Sequence, residues 1–383
     1  MRLRIGTSSR EDVRGAAAEA ARSALGRSEA PVFAFVFATL GYRADELAAA
    51  LSDELGPLPR AGVLTHAVLA GRSVLPRGVA VGVVDSATVR ARVGVAGPVS
   101  AGARAAGAAV ARDALLEMSL PPPDRSRAVV LFTDTAGFNA AEVLHGAVGV
   151  AGAGVVWSGG GTGDGGAQLA GSRALHDHAV AVTLDCHKRV GVGVKHGWEP
   201  TGAPAMVTRV RGSLVERLEH RPAFEIYRRA AEERGELVDA ANFARFAMTH
   251  PLGIPQADGE YLIRDPLSVD ELGALRFLAA VPDGALVRVM EAEPSMLVDA
   301  GRSAAAMARD DAGGPLGGAL VFDCVSRALL LGDRLADEIG ACQEALGEDV
   351  PVLGCFTAGE VGAFGARMPQ FHNKTMVVLA LPA

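Results

Sequence analysis

Chemically versatile side chains cluster near the end of the sequence. The segment ALVFDCVSR ends with Cys324 and Arg327, and the segment GCFTAGEVG carries Cys355, Thr357 and Glu360. If their two apolar strands are parallel neighbours, these groups leave the same sheet edge, where open α/β sheets bind ligands. A guanidinium pairs with a carboxylate, and a carboxylate accepts hydrogen bonds from an ammonium group. The set therefore predicts a site for a small zwitterion.

A structural interpretation of the same two charged residues stays open. Arg327 and Glu360 could pair with each other and hold the loop, whose glycines include Gly354 and Gly359. The sequence does not choose between this pairing and contact with a ligand.

A cysteine nucleophile is another alternative. Cys324 or Cys355 would need a neighbouring base, for which His196 and His372 are candidates. No sequence rule brings these residues together, and a cysteine more often serves as a small buried apolar residue.

A glycine-rich loop follows a strand in the middle of the chain. Gly161, Gly163 and Gly166 match the GxGxxG pattern of dinucleotide sites, and Asp185 lies at the end of the next strand. The segment AQLAGSRALHDH, interrupted by Gly171, is too short for the crossover helix that such a site needs. We therefore expect a tight loop whose backbone N–H groups face a ligand or another loop.

The histidines give weaker indications. His176 and His178, in LHDHAV, would project from one face of a strand and could chelate a metal with a third ligand. His145, on a predicted helix, could be a haem ligand. Surface or packing roles are the simpler interpretation for all three.

Three segments of similar pattern position these groups. They run from 32 to 84, from 128 to 184 and from 319 to 381, and each reads as strand, helix, short strand, Gly/Thr loop and strand. Their starts are separated by 96 and 191 residues, about one and two periods of 95. We infer an internal duplication, with an α/β fold of repeated β-α-β-β units in mixed, mainly parallel sheets flanked by helices, in two halves packed together.

A different region lies between the second and third segments. It contains predicted helices over 222–233 and 238–248, the strand-like EYLIRDPLSVD and the alternating ALVRVMEAEP, and it follows a hairpin-like connector. We predict an N-terminal strand and helix over 1–30 and α/β domains over 31–221 and 222–383.

Composition excludes several classes of protein. Of the 383 residues, 49% are hydrophobic, which excludes a disordered chain, and a net charge of −7 with 5% aromatic residues argues against nucleic acid as a partner. The longest apolar run has 11 residues, whereas a membrane span needs about 20. No secretory signal is visible at the start, and four cysteines without CxxC spacing indicate free thiols. We expect a cytoplasmic protein.

Several of these segments together resemble a known family. The segments YLIRDPLSVDELGALRF, GGALVFDCVSR, VPVLGCFTAGEVGAFG and FHNKT resemble the C-terminal half of FIST domain proteins. VVWSGGGTGDGG and GVGVKHGWEPTGAPAMV are similar to the FIST N region. The first segment, with Leu64, Thr65 and His66, lacks the acidic residue that relatives show in this loop.

The resemblance implies a sensory module of signal transduction that binds a small polar ligand, an amino acid-like metabolite, between its two halves. Arg327 would bind a ligand carboxylate and Glu360 an amine, with Arg264 as a second anion partner. The remaining expected ligand-binding residues are Cys324, Cys355, Thr357, Gly354, Gly359, Asn373, Gly159, Gly160 and Gly161, the last three through backbone N–H groups.

The resemblance also bears on activity and partners. We expect no enzymatic activity, no metal and no cofactor, although some relatives are haem-containing nitric oxide sensors, which keeps a haem sensor as an alternative beside the cysteine enzyme. With no output domain in the sequence, we expect a signalling partner protein or a homo-oligomer.

Overall fold

The chain folds into three copies of one unit and one inserted subdomain. The structure, a computed structural model, describes residues 1–26, 28–116, 118, 125–135, 140–152, 154–257, 259–365 and 367–383. The first two residues of the helix predicted at FNAAEVLHGAVG lie outside these ranges.

The elements of the three units follow the same order. Unit 1 contains β1 (Arg2–Ser8), α1 (Val13–Leu25), β2 (Pro31–Thr39), α2 (Ala44–Leu55), β3 (Arg60–Thr65), β4 (Val68–Ala70), β5 (Ser73–Leu75) and β6 (Val79–Asp85). Unit 2 contains β7 (Arg90–Ala96), α3 (Ala103–Leu115), β8 (Ser126–Thr133), α4 (Ala140–Ala151), β9 (Val155–Gly161), β10 (Ala167–Ala170), β11 (Arg173–Leu175) and β12 (Ala179–Cys186).

Unit 3 is split by the inserted subdomain. It begins with β13 (Gly191–Lys195) and resumes with α7 (Pro294–Ala312), β22 (Leu316–Cys324), α8 (Val325–Leu331), a 3₁₀ turn (Gly332–Arg334), α9 (Leu335–Leu346), β23 (Val352–Thr357), β24 (Glu360–Gly362), β25 (Gln370–His372) and β26 (Met376–Pro382). The predicted duplication is confirmed, and each unit also includes an earlier strand and helix.

The inserted subdomain, residues 199–291, is called the cap below. It contains β14 (Glu199–Arg211), β15 (Leu214–Leu218), β16 (Arg221–Pro222), α5 (Glu225–Glu232), α6 (Phe243–Thr249), β17 (Leu252–Pro255), β18 (Tyr261–Arg264), β19 (Pro266–Val269), β20 (Leu275–Phe277) and β21 (Leu286–Glu291). It has an apolar core of its own, built around residues such as Tyr227, Phe243 and Phe277.

The units exchange hairpins in a cycle. The hairpin β4–β5 of unit 1 pairs with β23 of unit 3, β10–β11 of unit 2 pairs with β3 of unit 1, and β24–β25 of unit 3 pairs with β9 of unit 2. Each unit thus forms a six-stranded sheet that is completed by a hairpin of its neighbour.

The mixed α/β class is confirmed, with helices packed on the sheets. Parallel pairing is found in the βαβ steps β2–β3, β8–β9 and β22–β23. The predicted dominance of parallel pairs needs correction beyond these steps, because the other described pairs are antiparallel: the chain returns through a hairpin rather than through a second helix.

The centre of the molecule shows the repeat most directly. Phe37, Phe132 and Phe322 occupy matching places on β2, β8 and β22, and their ring centroids lie 5.9, 6.0 and 6.2 Å apart, each pair edge to face. The three sheets therefore share one apolar core, in which aromatic edges meet aromatic faces.

Small residues set the distance between each edge strand and its helix. A Cβ on Gly6 would lie 2.1 Å from the Ala20 oxygen of α1, and one on Gly193 would lie 1.9 Å from the Ala304 oxygen of α7. These glycines thus have a packing reason, because only glycine lets the backbones come this close. Among the described helices, none is long and apolar enough to cross a membrane.

Candidate functional site

The carboxyl ends of β22 and β23 meet as predicted. The strands are parallel, with Cys324 opposite Thr357, so the polar residues that end both strands lie at one edge. The cap covers this edge, and α6 packs near α8 and β19. The result is a buried cluster of charged and polar side chains between unit 3 and the cap.

Arg327 forms the deepest part of this cluster. It is fully buried, its Nε lies 3.1 Å from Asp323, and it also pairs with Glu338. Its remaining N–H groups donate to the backbone oxygens of His196, Leu297 and Lys374. The donors of the Arg327 guanidinium, which the sequence suggested for a ligand carboxylate, are thus bonded to protein groups. Its ion pairs are with Asp323 and Glu338 and not with Glu360.

Asp323 lies beside that guanidinium and is fully enclosed. Burial, together with the charge of Glu338, raises the pKa of Asp323 well above its ordinary value. A carboxyl group in such surroundings favours its protonated form, which limits the net negative charge inside the cluster.

Glu360 is the second buried carboxyl group of the cluster. It accepts hydrogen bonds from Thr357 Oγ1 at 2.9 Å and from the Thr375 backbone N–H at 3.3 Å. Burial raises the pKa of Glu360 to about 8, and these bonds offset only part of the effect. At neutral pH the side chain is therefore mostly protonated.

Lys374 is the residue whose environment is least satisfied. Its side chain is fully buried, its backbone has a φ of 53°, and its Nζ lies 3.2 Å from Asp265 without forming a hydrogen bond to any described residue. The Nζ also lies 5.8 Å from the centre of the Trp198 ring. A buried ammonium with unused donors and a left-handed backbone carries an energetic cost that binding sites commonly retain.

Asp265 connects the cap to this lysine. Its Oδ2 accepts a hydrogen bond from Ser326 Oγ at 3.2 Å, and its backbone N–H donates to Asn373 Oδ1 at 3.3 Å. Asp265 is 7% exposed and Ser326 is half-buried, whereas Glu360 and Lys374 are fully enclosed. The seam between cap and unit 3 is thus the side from which solvent reaches the cluster.

Most of the other predicted polar residues lie in or next to the cluster. Cys324, Thr357 and Asn373 belong to it. Arg264 is buried nearby and donates to the backbone oxygens of Ala280, Ile263 and Phe371, while burial lowers its pKa to about 10. Its donors, like those of Arg327, are directed to protein oxygens.

The predicted glycines have close-packing roles. The Gly161 N–H donates to the Gly359 oxygen at 2.8 Å, and Gly160 pairs with Glu360 across β9 and β24. A Cβ on Gly354 would lie 2.5 Å from the Val321 oxygen, and one on Gly159 would lie 2.1 Å from the Leu131 oxygen. Of the two expectations for this loop, contact with another loop is what the structure shows, and the strand β10 after Gly166 excludes a dinucleotide fingerprint.

The cysteines lack the surroundings of a nucleophile. Burial raises the pKa of Cys324 and of Cys186 to about 12, and it raises the pKa of Cys355 and of Cys342 further. Cys355 packs in the central apolar core. A reactive cysteine needs a depressed pKa, so these thiols do not favour the cysteine-enzyme alternative.

The three histidines considered as ligands contact protein groups instead. His176 Nδ1 contacts the Gly166 oxygen, His178 Nδ1 contacts the His176 oxygen, and the described residues contain no group of three metal-ligating side chains. His145 is exposed and contacts Glu142. A cleft of about 760 Å³ beside Trp157 has no histidine or cysteine among its described lining residues, so it does not fit haem held by those ligands.

Three important residues of the cluster were missed from the sequence: Lys374, Asp265 and Ser326. Lys374 had an available indication, since it is one of only three lysines and follows Asn373 directly. Asp265 and Ser326 are far apart in the chain, and only the folded cap brings them together.

Comparison with known proteins agrees with this architecture. The FIST N domain model matches residues 32–221 and the FIST C domain model matches residues 223–363. The chain belongs to the FIST family. FIST domains are in general sensory domains of signal transduction rather than catalytic ones.

Relatives with the same extent are uncharacterized proteins. One from Mycobacterium tuberculosis is 28% identical over 382 residues, covering 94% of this chain and 95% of the relative. Another, from Mycobacterium bovis, is 27% identical over 395 residues, covering 96% and 95%. These relatives therefore span the FIST regions and the segments on either side.

Proposed function

We propose that this FIST protein is a cytoplasmic sensor that binds a small polar ligand of amino-acid size in the charged cluster beneath the cap. Lys374 is the observation that carries the proposal. A fully buried ammonium with unused donors is costly, and a ligand carboxylate would supply the missing acceptors.

The neighbouring groups suit the rest of such a ligand. Glu360 is held protonated by burial, and an arriving ammonium group would favour its ionised form. Thr357, Ser326 and Asn373 add hydroxyl and amide groups that can orient the molecule. Arg327, which the sequence favoured for the carboxylate, would instead keep the floor of the site in place through its protein partners.

The position of the cluster supports a site between the two halves of the family domain. His196 and Trp198 come from the FIST N region, and the Trp198 indole N–H donates to the Lys374 backbone oxygen at 3.2 Å. Asp265 and Ser326 come from the FIST C region. A ligand here would contact both regions, and the response would pass to a partner protein or to another copy of the chain.

A thermal-shift screen tests the proposal. The full chain is heated with each of the twenty amino acids and with small mono- and dicarboxylates. A ligand at 100 times its dissociation constant should add roughly 2.7 kcal/mol of stability.

Two lysine variants make the result specific. Lys374→Met should lose the response, whereas Lys188→Met, in which an exposed lysine that contacts the Ala383 oxygen is replaced, should keep it. The proposal fails if no compound stabilises the wild type, or if Lys374→Met responds as the wild type does.

A further inference from the structure

The cap is attached to the body of the protein through a polar seam. Besides its apolar contacts near Ala279 and Ile263, the seam contains the ion pair of Lys195 with Glu260 and the bond from Arg264 to the Phe371 oxygen. The pair of Asp265 with Lys374 lies in the same seam. The cap also has its own apolar core, so it can move relative to the body without losing that core.

Asp265 holds Lys374 less firmly than the carboxylate of a free ligand can. The two charged groups are 3.2 Å apart, but their geometry falls short of a hydrogen bond, and Oδ2 of Asp265 is shared with Ser326. A free carboxylate can align both oxygens with the donors of Lys374, which Asp265, fixed by its backbone bond to Asn373, does not.

We infer that Asp265 is a displaceable internal counter-ion. It forms an ion pair with Lys374 until a small carboxylate ligand takes its place and releases the cap. The inference rests on the proposed function, because it uses the same lysine. It names the ligand class, a small carboxylate, and it names the response, a loosening of the seam.

This arrangement links binding to a change that another protein can detect. In the unliganded state the ion pair ties Asp265, the residue that directly follows β18, to unit 3. In the bound state the carboxylate of the ligand neutralises Lys374, and Asp265, which already has the most solvent contact of the charged groups in the cluster, moves toward water.

Acetate serves as the probe, with sodium chloride at the same ionic strength as the reference. Asp265→Asn keeps the size of the side chain but removes the competing charge, so acetate should bind about tenfold more tightly than to the wild type. Lys374→Met should abolish binding. Asp283→Asn, at an exposed position of the same cap, is the matched control and should leave binding unchanged.

Hydrogen exchange measures the seam without relying on affinity. Backbone amides of β18 should exchange faster in Asp265→Asn than in the wild type, and wild type saturated with acetate should approach the same rate. If Asp265→Asn does not fold, the wild type alone still tests the inference, because saturating acetate should speed the exchange of the β18 amides relative to sodium chloride at the same ionic strength.

The outcomes separate the two proposals. Equal or weaker acetate binding in Asp265→Asn, or exchange of the β18 amides that neither Asp265→Asn nor saturating acetate changes, overturns the counter-ion. The proposed ligand site then still stands if the compound screen gives a Lys374-dependent response. No binding of acetate to any variant overturns the assignment of Lys374 to carboxylates, and the proposed function falls with it if the screen also gives no response.

Discussion

Units 2 and 3 place different side chains at one equivalent, buried position of the repeat. Glu360 faces Gly160 across β24 and β9, and Gln168 faces Val63 across β10 and β3. Gly160 and Val63 are in turn opposite the matching phenylalanines of their sheets. Gln168 and Glu360 are therefore equivalent, and both are fully buried.

The two units also differ at the residue after the hairpin. Lys374 and Asp177 have φ angles of 53° and 55° at the same point of the repeat. Lys374 is fully buried, whereas Asp177 is half-buried and accepts hydrogen bonds from the N–H and hydroxyl groups of Ser100. Only unit 3 carries the cap.

The comparison shows where buried charge comes from in this fold. A repeated scaffold creates three similar sheet edges, and in unit 1 the position of Glu360 is taken by Val68, opposite Cys355. All three positions are buried, and only unit 3 has an ionisable side chain there, in a cluster that the cap residue Asp265 completes. The ionisable groups, rather than burial or the strand pattern, distinguish the candidate site.

The largest effect is expected from breaking the charged cluster. Arg327→Met should lower the free energy of unfolding by about 3–5 kcal/mol, because Asp323 and Glu338 lose their buried counter-charge. Arg334→Met, at an exposed pair with Asp337, should cost less than about 1 kcal/mol. Chemical denaturation measures both variants. A stable Arg327→Met protein that no longer binds ligand would return Arg327 to the ligand-binding role.

The second-largest effect is expected from introducing a carboxyl group into unit 2. Gln168→Glu places it where Gln168 bonds to Thr162, with no buried lysine beside the described hairpin, and should destabilise the protein by about 2–4 kcal/mol above neutral pH. Denaturation at acidic and alkaline pH tests this, since protonation should restore part of the loss. If Gln168→Glu is as stable as the wild type at alkaline pH, the sheet edges of units 2 and 3 are not different environments.

The reverse substitution in unit 3, Glu360→Gln, should have a smaller effect on stability, and it should stabilise the protein rather than destabilise it. Burial raises the pKa of Glu360 from 4.5 in the unfolded chain to about 8, so the folded state holds a proton that the unfolded state releases between these values. Stability from this group is therefore lost as pH rises from 4.5 to about 8 and stays level above that.

Glu360→Gln should remove that dependence. Relative to wild type it should gain about 1–3 kcal/mol of stability as pH rises through this window. Denaturation at several pH values measures it, with Glu348→Gln, at an exposed pair with Arg72, as the control. Parallel pH profiles for wild type and Glu360→Gln would contradict the buried, protonated assignment.

The smallest differences should appear at the shared core. Phe37→Leu, Phe132→Leu and Phe322→Leu should each cost about 1–1.5 kcal/mol, because each ring packs edge to face against the other two. Phe37 also contacts Phe35, with ring centroids 6.4 Å apart, so its loss should be the largest, by up to about 0.5 kcal/mol. Thermal or chemical denaturation decides it. One variant with a much larger loss would show that the units do not contribute equally to the core.

Much of the fold could be predicted from local patterns. Apolar strands, amphipathic helices and Gly/Thr loops repeat with a nearly constant period, and that pattern correctly predicted three units and the parallel neighbours β22 and β23. It did not predict the hairpin exchange, because two short strands carry no information about which sheet they will join.

The site was only partly predictable for a similar reason. Strand ends identified Cys324, Thr357 and Glu360, which do lie together. Arg327 was a reasonable choice by residue type, but its partner Glu338 is on α9, and pattern does not show that a helix will supply it. The choice between a ligand contact and a structural ion pair depends on tertiary packing, and so does the role of Lys374.

The small molecules that remain on the purified protein provide the most direct test of the central claim. The full-length wild type, Lys374→Met and Lys188→Met are denatured, and the released compounds are identified by mass spectrometry. The account predicts a small carboxylate from the wild type and from Lys188→Met, and its absence from Lys374→Met. The same compounds in the same amounts from all three proteins would contradict the assignment of the buried cluster as the ligand site.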